Sequence, residues 1–263
     1  NDFPKIPDNS IVRINTVNSA IKKLHKNKLV QLYGISGVGK TYLALQIAEK
    51  IKKKDPDQMT IWISGESIKD ANDLKSLKID RYGVPQNIIG LMQRFKSLVI
   101  IDSLEKKINE IISAITTDVN NDYNLIITSQ TASGHHSKLR IKESGKSLSK
   151  EILNKGLPML CPAETFEEIY SSIGGHPFLL NQINILIKEN HLTWHNIIEE
   201  LEYITSSESD DNQAFYNRLF QNHLAAIKKE LAVLRWVDEK EMEHSLLHLL
   251  VGTIGIEKLI SRD

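Results

Sequence analysis

The residues Gly34-Ile35-Ser36-Gly37-Val38-Gly39-Lys40-Thr41 constrain this chain more than any others. They match G-x-x-x-x-G-K-[ST] and follow the apolar run Leu29 to Tyr33. The next stretch places Ala44, Ile47, Ala48 and Ile51 on one helical stripe, and Asp55-Pro56 ends it. A glycine-rich turn between a buried strand and a helix lets successive N–H groups and the positive end of the helix dipole converge on a β-phosphate. At this spacing Lys40 reaches the β- and γ-phosphates, and Thr41 offers a hydroxyl to a bridging Mg²⁺. Gly34, Gly37, Val38, Gly39, Lys40, Thr41 and the adjacent Tyr42 are therefore candidate nucleotide contacts.

Such a loop needs a parallel sheet behind it, and the first 160 residues supply apolar runs alternating with helical patterns. The runs predict strands at Leu29 to Tyr33, Thr60 to Ser64, Ser97 to Ile101, Asn124 to Thr128 and, more weakly, Leu157 to Leu160. Leu98 to Ile101 and Leu125 to Ile127 are continuously apolar, as in strands covered by helices on both faces. The expected class is α/β, a P-loop NTPase sheet covered by helices. Asp102 ends its strand where a carboxylate can hold Mg²⁺ through the water shell, a Walker B pattern. Thr128-Ser129-Gln130 ends another, where polar groups can face a γ-phosphate.

After Cys161-Pro162 no strand pattern returns. Phe166, Ile169, Tyr170 and Ile173 fall at helical spacing until Gly174-Gly175, and helices are expected over Pro177 to Glu189 and Trp194 to Ile204. The boundaries read as a nucleotide domain over 1–160, a helical domain over 161–205 and a third, purely helical region over 206–263. Ser206 to Asp211 reads as a linker or loop, and Gln130 to Asn154 as a mobile connector or an insertion.

Charge narrows the partners: Lys plus Arg and Asp plus Glu both number 33, so no overall field favours nucleic acid or an acidic membrane. One cysteine, Cys161, excludes an intrachain disulfide and fits a reducing, cytoplasmic setting. No apolar run approaches the ~18 residues of a membrane span. The chain starts at Asn1 and reads as a piece of a longer protein.

Taken in order, Ile11-Val12-Arg13, the loop Gly34 to Thr41, Leu98 to Asp102, Ile126-Ile127-Thr128-Ser129 and Gly174-Gly175-His176-Pro177-Phe178-Leu179-Leu180 resemble a STAND NTPase of the NB-ARC or NOD type. The likeness spans nearly the whole chain. It implies an adenine-nucleotide switch, closed with ADP and open and self-assembling with ATP and Mg²⁺, in a defence, cell-death or signalling protein. Effector and sensor domains would lie outside this stretch. Carried over by motif, it nominates Pro177 and His176, with Ile11 and Arg13, as the adenine site. Read without the resemblance, Gly175-His176-Pro177 is a helix stop and restart.

Two departures touch the chemistry. The family commonly has a second acidic residue after the Walker B aspartate, where this chain has Ser103, and an Arg at the end of the sensor strand, where it has Gln130. Binding is better supported than rapid hydrolysis, so a slow ATPase is expected, with Lys40 and Asp102 as catalytic groups and Glu105 or Glu66 as substitute bases. His191 with His195, and His244 with His248, stand at i, i+4 but lack the Glu of a zinc protease motif, so surface or half-buried histidines are expected. Two rival classes remain: a DNA-binding, ATP-dependent regulator using the winged helix, and a conventional P-loop kinase or ATPase. The segments at Leu231 to Val237, Met242 to Val251 and Ile256 to Ile260 resemble the helical core of the winged helix that the family carries next, so the resemblance implies the start of a winged-helix domain over 206–263; the last segment has zero net charge.

Overall fold

The computed structural model describes residues 11–81, 84–119, 122–189 and 193–199. The expected winged-helix segments, the linker at 206–211, and His191, His244 and His248 lie outside the described residues.

The continuous apolar runs form the middle of a sheet. β1 (Leu29–Tyr33), β5 (Ser97–Asp102) and β6 (Tyr123–Ser129) are buried along almost their whole length, as strands covered on both faces must be. With β2 (Met59–Ser64) and β7 (Lys138–Arg140) they make a five-stranded parallel sheet in the order β2-β5-β6-β1-β7. Alternation along each strand divides the apolar residues between two cores. Val30, Leu32, Leu98, Ile100 and Ile126 face α1 (Ile14–Asn27) and α2 (Lys40–Lys54), which add Val17, Leu24, Leu43 and Ile47. Leu29, Val99, Ile101, Leu125 and Ile127 face the other side, with Leu74 from α3 (Ala71–Ser76), Met92 from α4 (Ile88–Arg94) and Ile111 and Ile115 from α5 (Ile108–Asp118). A hairpin of β3 (Lys78–Arg81) and β4 (Val84–Asn87), which the sequence did not announce, precedes α4.

The fifth strand corrects the sequence reading. Residues 157–160 are not a strand: Leu157 is buried, but Met159 and Leu160 flank Cys161-Pro162 at 66% and 64% exposure. Pro158 also lacks the N–H that a ladder needs. The strand lies instead inside the stretch expected to be a mobile connector or an insertion, which holds both β7 and α6 (Lys146–Asn154).

Two compact units are present. The first runs to Ser144 and takes in His176–Phe178; the second comprises Gly145–Gly175 and the described residues from Leu179 onward. The second is helical, with α6, α7 (Ala163–Ile173) and most of α8 (Pro177–Lys188). Phe166, Ile169, Leu180 and Ile183 are fully buried there. Asn184 Nδ2 donates to the carbonyls of Leu153 at 2.8 Å and Lys155 at 3.0 Å, supplying partners that the end of α6 lacks within the helix. Residues 194–199 are helical.

Candidate functional site

Parallel pairing brings the carboxyl ends of the central strands to one rim, where ligands of such sheets bind. Tyr33 is in register with Ser129, and Ser64 with Asp102. The loop of residues 34–39 leaves β1 at this rim and enters α2, whose first residue is Lys40. Gly34, Gly37 and Gly39 all have positive φ, at 156°, 74° and 89°. Gly34 is also pressed on by backbone, because a Cβ there would overlap the Ile141 carbonyl oxygen and touch Val38 Cγ2 at 3.5 Å. Val38 is fully buried, whereas Tyr42 is 48% exposed on the first turn of α2. Lys40 Nζ folds over the loop and donates to the carbonyls of Gly34 at 2.9 Å and Ile35 at 3.0 Å.

Beside the loop, Thr41 and Asp102 meet. Thr41 Oγ1 donates to the Asp102 carboxylate, 3.0 and 3.1 Å from its two oxygens. Thr128 Oγ1 donates to Asp102 Oδ1 at 2.5 Å and accepts from the Ser103 backbone N–H at 2.8 Å. Burial raises the Asp102 pKa, while the hydrogen bonds from Thr128 and Thr41 and the charge of Lys40 oppose that shift. A hydroxyl and a carboxylate are hard oxygen donors, which suit Mg²⁺, an ion that keeps several waters and takes few protein ligands. Among the described residues no group of three or more His, Cys, Asp or Glu could hold a metal. Two protein oxygens of this kind, from Thr41 and Asp102, fit an ion that takes the rest of its shell from water or ligand oxygens.

Ser103 has φ 60° and faces Thr128 through its N–H. Both Glu105 carboxylate oxygens accept from the Gln130 backbone N–H, at 2.7 and 2.9 Å, tying the turn after β5 to the end of β6. Glu66 lies exposed in the 3-10 turn Gly65–Ser67 that follows β2. His176 Nε2 lies 2.9 Å from the Ser36 carbonyl oxygen, and the Phe178 backbone N–H donates to the Gly37 carbonyl at 3.3 Å. Pro177 is the first residue of α8. His195 is an exposed side chain 3.3 Å from Glu199.

Two residues that the sequence reading passed over organise this rim. Gln46, on the buried stripe of α2, donates from Nε2 to the Ile11 carbonyl at 3.0 Å and accepts from the Arg13 N–H at 3.3 Å. Arg13 itself donates to the Lys142 carbonyl at 3.3 Å and to Ser144 Oγ at 2.9 Å. In β1 the fully buried Gln31 donates to Ser129 Oγ at 2.6 Å and the Thr131 carbonyl at 2.9 Å, and accepts from Ser133 N–H at 2.9 Å and Oγ–H at 2.6 Å. The available signal was an amide inside an otherwise apolar run, since a buried amide needs partners. Gln46→Leu is expected to lower stability by about 1 kcal/mol, because the Ile11 and Arg13 groups it would orphan are only partly buried. Hydrogen exchange should read out the change as a faster Arg13 amide, and an unchanged Arg13 rate would contradict the assignment.

Comparison with known proteins decides the family. A family model described as Novel STAND NTPase 3 matches residues 11–157, more than half of the chain and all of the rim from Ile11 to Gln130. The chain belongs to this STAND NTPase family. No curated protein matches it significantly. Among solved structures it is similar to the Walker-type ATPase PABY2304 of Pyrococcus abyssi, at 15% identity and a TM-score of 0.50, covering 90% of this chain and 79% of that one. It is also similar to domain III of the Thermotoga maritima replication initiation protein DnaA, at 17% identity and 0.48, covering 84% and 98%. AMPPCP-bound DnaA from Aquifex aeolicus aligns at 15% identity and 0.46, over 95% and 96%. The likeness to PABY2304 agrees with the STAND NTPase assignment at the level of fold. Among the described residues, no helix is long and apolar enough to cross a membrane.

Proposed function

We propose that this STAND NTPase is an adenine-nucleotide switch, with an ADP-held closed form and an ATP- and Mg²⁺-bound open form that self-assembles in a defence, cell-death or signalling pathway. The observation that carries the reading is the pairing of a complete phosphate loop with an Asp102 centre that lacks an acidic neighbour. Position 103 is a serine at positive φ whose N–H is engaged by Thr128, so no carboxylate stands there to activate water. A positioned general base contributes about 10² to 10⁴ in rate. A site that binds well and hydrolyses slowly holds its nucleotide state, as a switch requires.

In this reading Lys40 and the loop amides of Gly37, Val38 and Gly39 would hold phosphates, and Thr41 and Asp102 would hold Mg²⁺, which would supply neutralisation of phosphate charge. Thr128 orients Asp102. Ile11, Arg13 and Pro177 are proposed to surround the base end of the nucleotide, with Tyr42 as a further nucleotide contact. Steady-state phosphate release is expected at least a hundredfold below the ~10 per second of an ordinary enzyme. A rate near 10 per second would replace the switch with a conventional ATPase. Nucleotide extracted from the purified protein and identified by chromatography tests the rest: ADP is expected, with mass by light scattering rising when ATP and Mg²⁺ replace it. Guanine nucleotide, or a mass indifferent to ATP, would overturn the proposal. Glu66→Gln and Glu105→Gln separate the two substitute bases, the one that acts being the one whose loss abolishes the residual rate.

A further inference from the structure

The segment His176–Phe178 comes from far along the chain yet belongs to the compact unit of the phosphate loop. It meets that loop through two carbonyls. Ser36 O lies 2.9 Å from His176 Nε2, and Gly37 O accepts from the Phe178 N–H at 3.3 Å. A carbonyl oxygen only accepts, so Nε2 carries the proton. The other ring nitrogen, Nδ1, is buried and has no partner among the described residues. Burial lowers the pKa of the ring, with the Ser36 hydrogen bond and the charge of Glu143 opposing, so the neutral Nε2–H tautomer fits. Contact is close as well, since a Cβ on Gly37 would overlap His176 Cε1 and approach Phe178 Cβ to 3.0 Å.

The geometry of a peptide gives these bonds a consequence on the opposite side of the loop. The described peptides include no cis bonds. In a trans peptide the C=O and the following N–H point in opposite directions across one rigid plane. Fixing the Ser36 carbonyl toward His176 therefore aims the Gly37 N–H away from it, and fixing the Gly37 carbonyl toward Phe178 does the same for the Val38 N–H. These are two of the amides that a loop of this pattern uses to hold phosphate.

We propose that His176 is a positioning residue for the phosphate loop: its imidazole, helped by the Phe178 amide, anchors the outer carbonyls so that the Gly37 and Val38 amides are held toward the phosphates. This role rests on the loop taking a nucleotide, as proposed above, and moves His176 from the base end of that ligand to the phosphate end. Its signature is an effect on any ligand carrying the diphosphate, with or without a base.

Calorimetric titration with Mg·ADP and with inorganic pyrophosphate, on the wild type, His176→Phe and His176→Gln, tests it. His176→Phe keeps the bulk but lacks the donor and is expected to weaken both ligands by the same factor, about tenfold, which is about 1.4 kcal/mol. His176→Gln can return an N–H to the Ser36 carbonyl and should recover to within about threefold of the wild type. Loss confined to ADP would assign His176 to the base, and no loss for either ligand would make it a bystander; each overturns the proposal. A wild type that binds neither ligand would instead refute the phosphate-loop reading. Should His176→Phe fail to fold, ¹⁵N spectroscopy of histidine-labelled wild type decides: the Nε2–H tautomer is expected, and an Nδ1–H tautomer would overturn the anchor.

Discussion

Lys40→Ala is expected to abolish the thermal stabilisation that Mg·ADP gives the wild type while leaving a folded protein. The ammonium folds over the loop and donates to the carbonyl oxygens of Gly34 and Ile35. The buried faces of α2 are built from other residues, including Leu43, Ala44, Ile47 and Ala48. Removing the charge is therefore expected to remove the proposed phosphate partner without opening the core. A ligand that binds only the folded state adds RT ln(1 + [L]/Kd), about 2.7 kcal/mol at a hundredfold excess over Kd. Differential scanning fluorimetry across an ADP series should show that increment in the wild type and none in the variant. A full shift in Lys40→Ala would remove the loop from consideration as the site.

Gly34→Ala should damage fold and binding together, unlike the lysine variant. At φ 156° an alanine is strained, and its Cβ would occupy the space of the Ile141 carbonyl oxygen. That carbonyl cannot withdraw freely: it follows β7, and the Ile141 N–H donates to the Tyr33 carbonyl at 2.7 Å. Relief must come from moving either the loop or the β1–β7 edge. Strained backbone of this kind costs about 1 to 3 kcal/mol, and with the overlap the upper end applies, so a loss of about 3 kcal/mol is expected. For a chain of this size that is about 6 to 12 °C in melting temperature. Denaturation with and without ADP checks both effects, and a variant as stable as the wild type would show that the close approach at Ile141 does not constrain the loop.

The parts of the molecule legible in the sequence share one property: their signal is local. The phosphate loop, the buried strands around Leu98 and Leu125, and the stripe of α2 each announce themselves within about a dozen residues, and the structure has each where expected. β7 could not be read this way, because Leu139 between Lys138 and Arg140 is no apolar run. Its strand identity comes from pairing with β1, more than a hundred residues earlier. The weak run at Leu157 to Leu160 took its place in the sequence reading because apolar residues beside a proline resemble a strand until their exposure is known. The site divides likewise. Spacing nominates Lys40, Thr41 and Asp102, but the amides of Gln31 and Gln46 act on residues 33 to 102 positions away. No window along the chain contains both partners.

β7 also governs how copies of this protein could meet. It closes one margin of the sheet with only three residues, two of them cationic. An open margin invites another chain to add a strand, and shortness and lysine are what discourage it. The self-assembly proposed above is therefore expected to use side-chain surfaces of helices and loops in preference to a continuous intermolecular sheet along β7. An assembly of that kind can be taken apart again, whereas a sheet shared between chains resists dissolution.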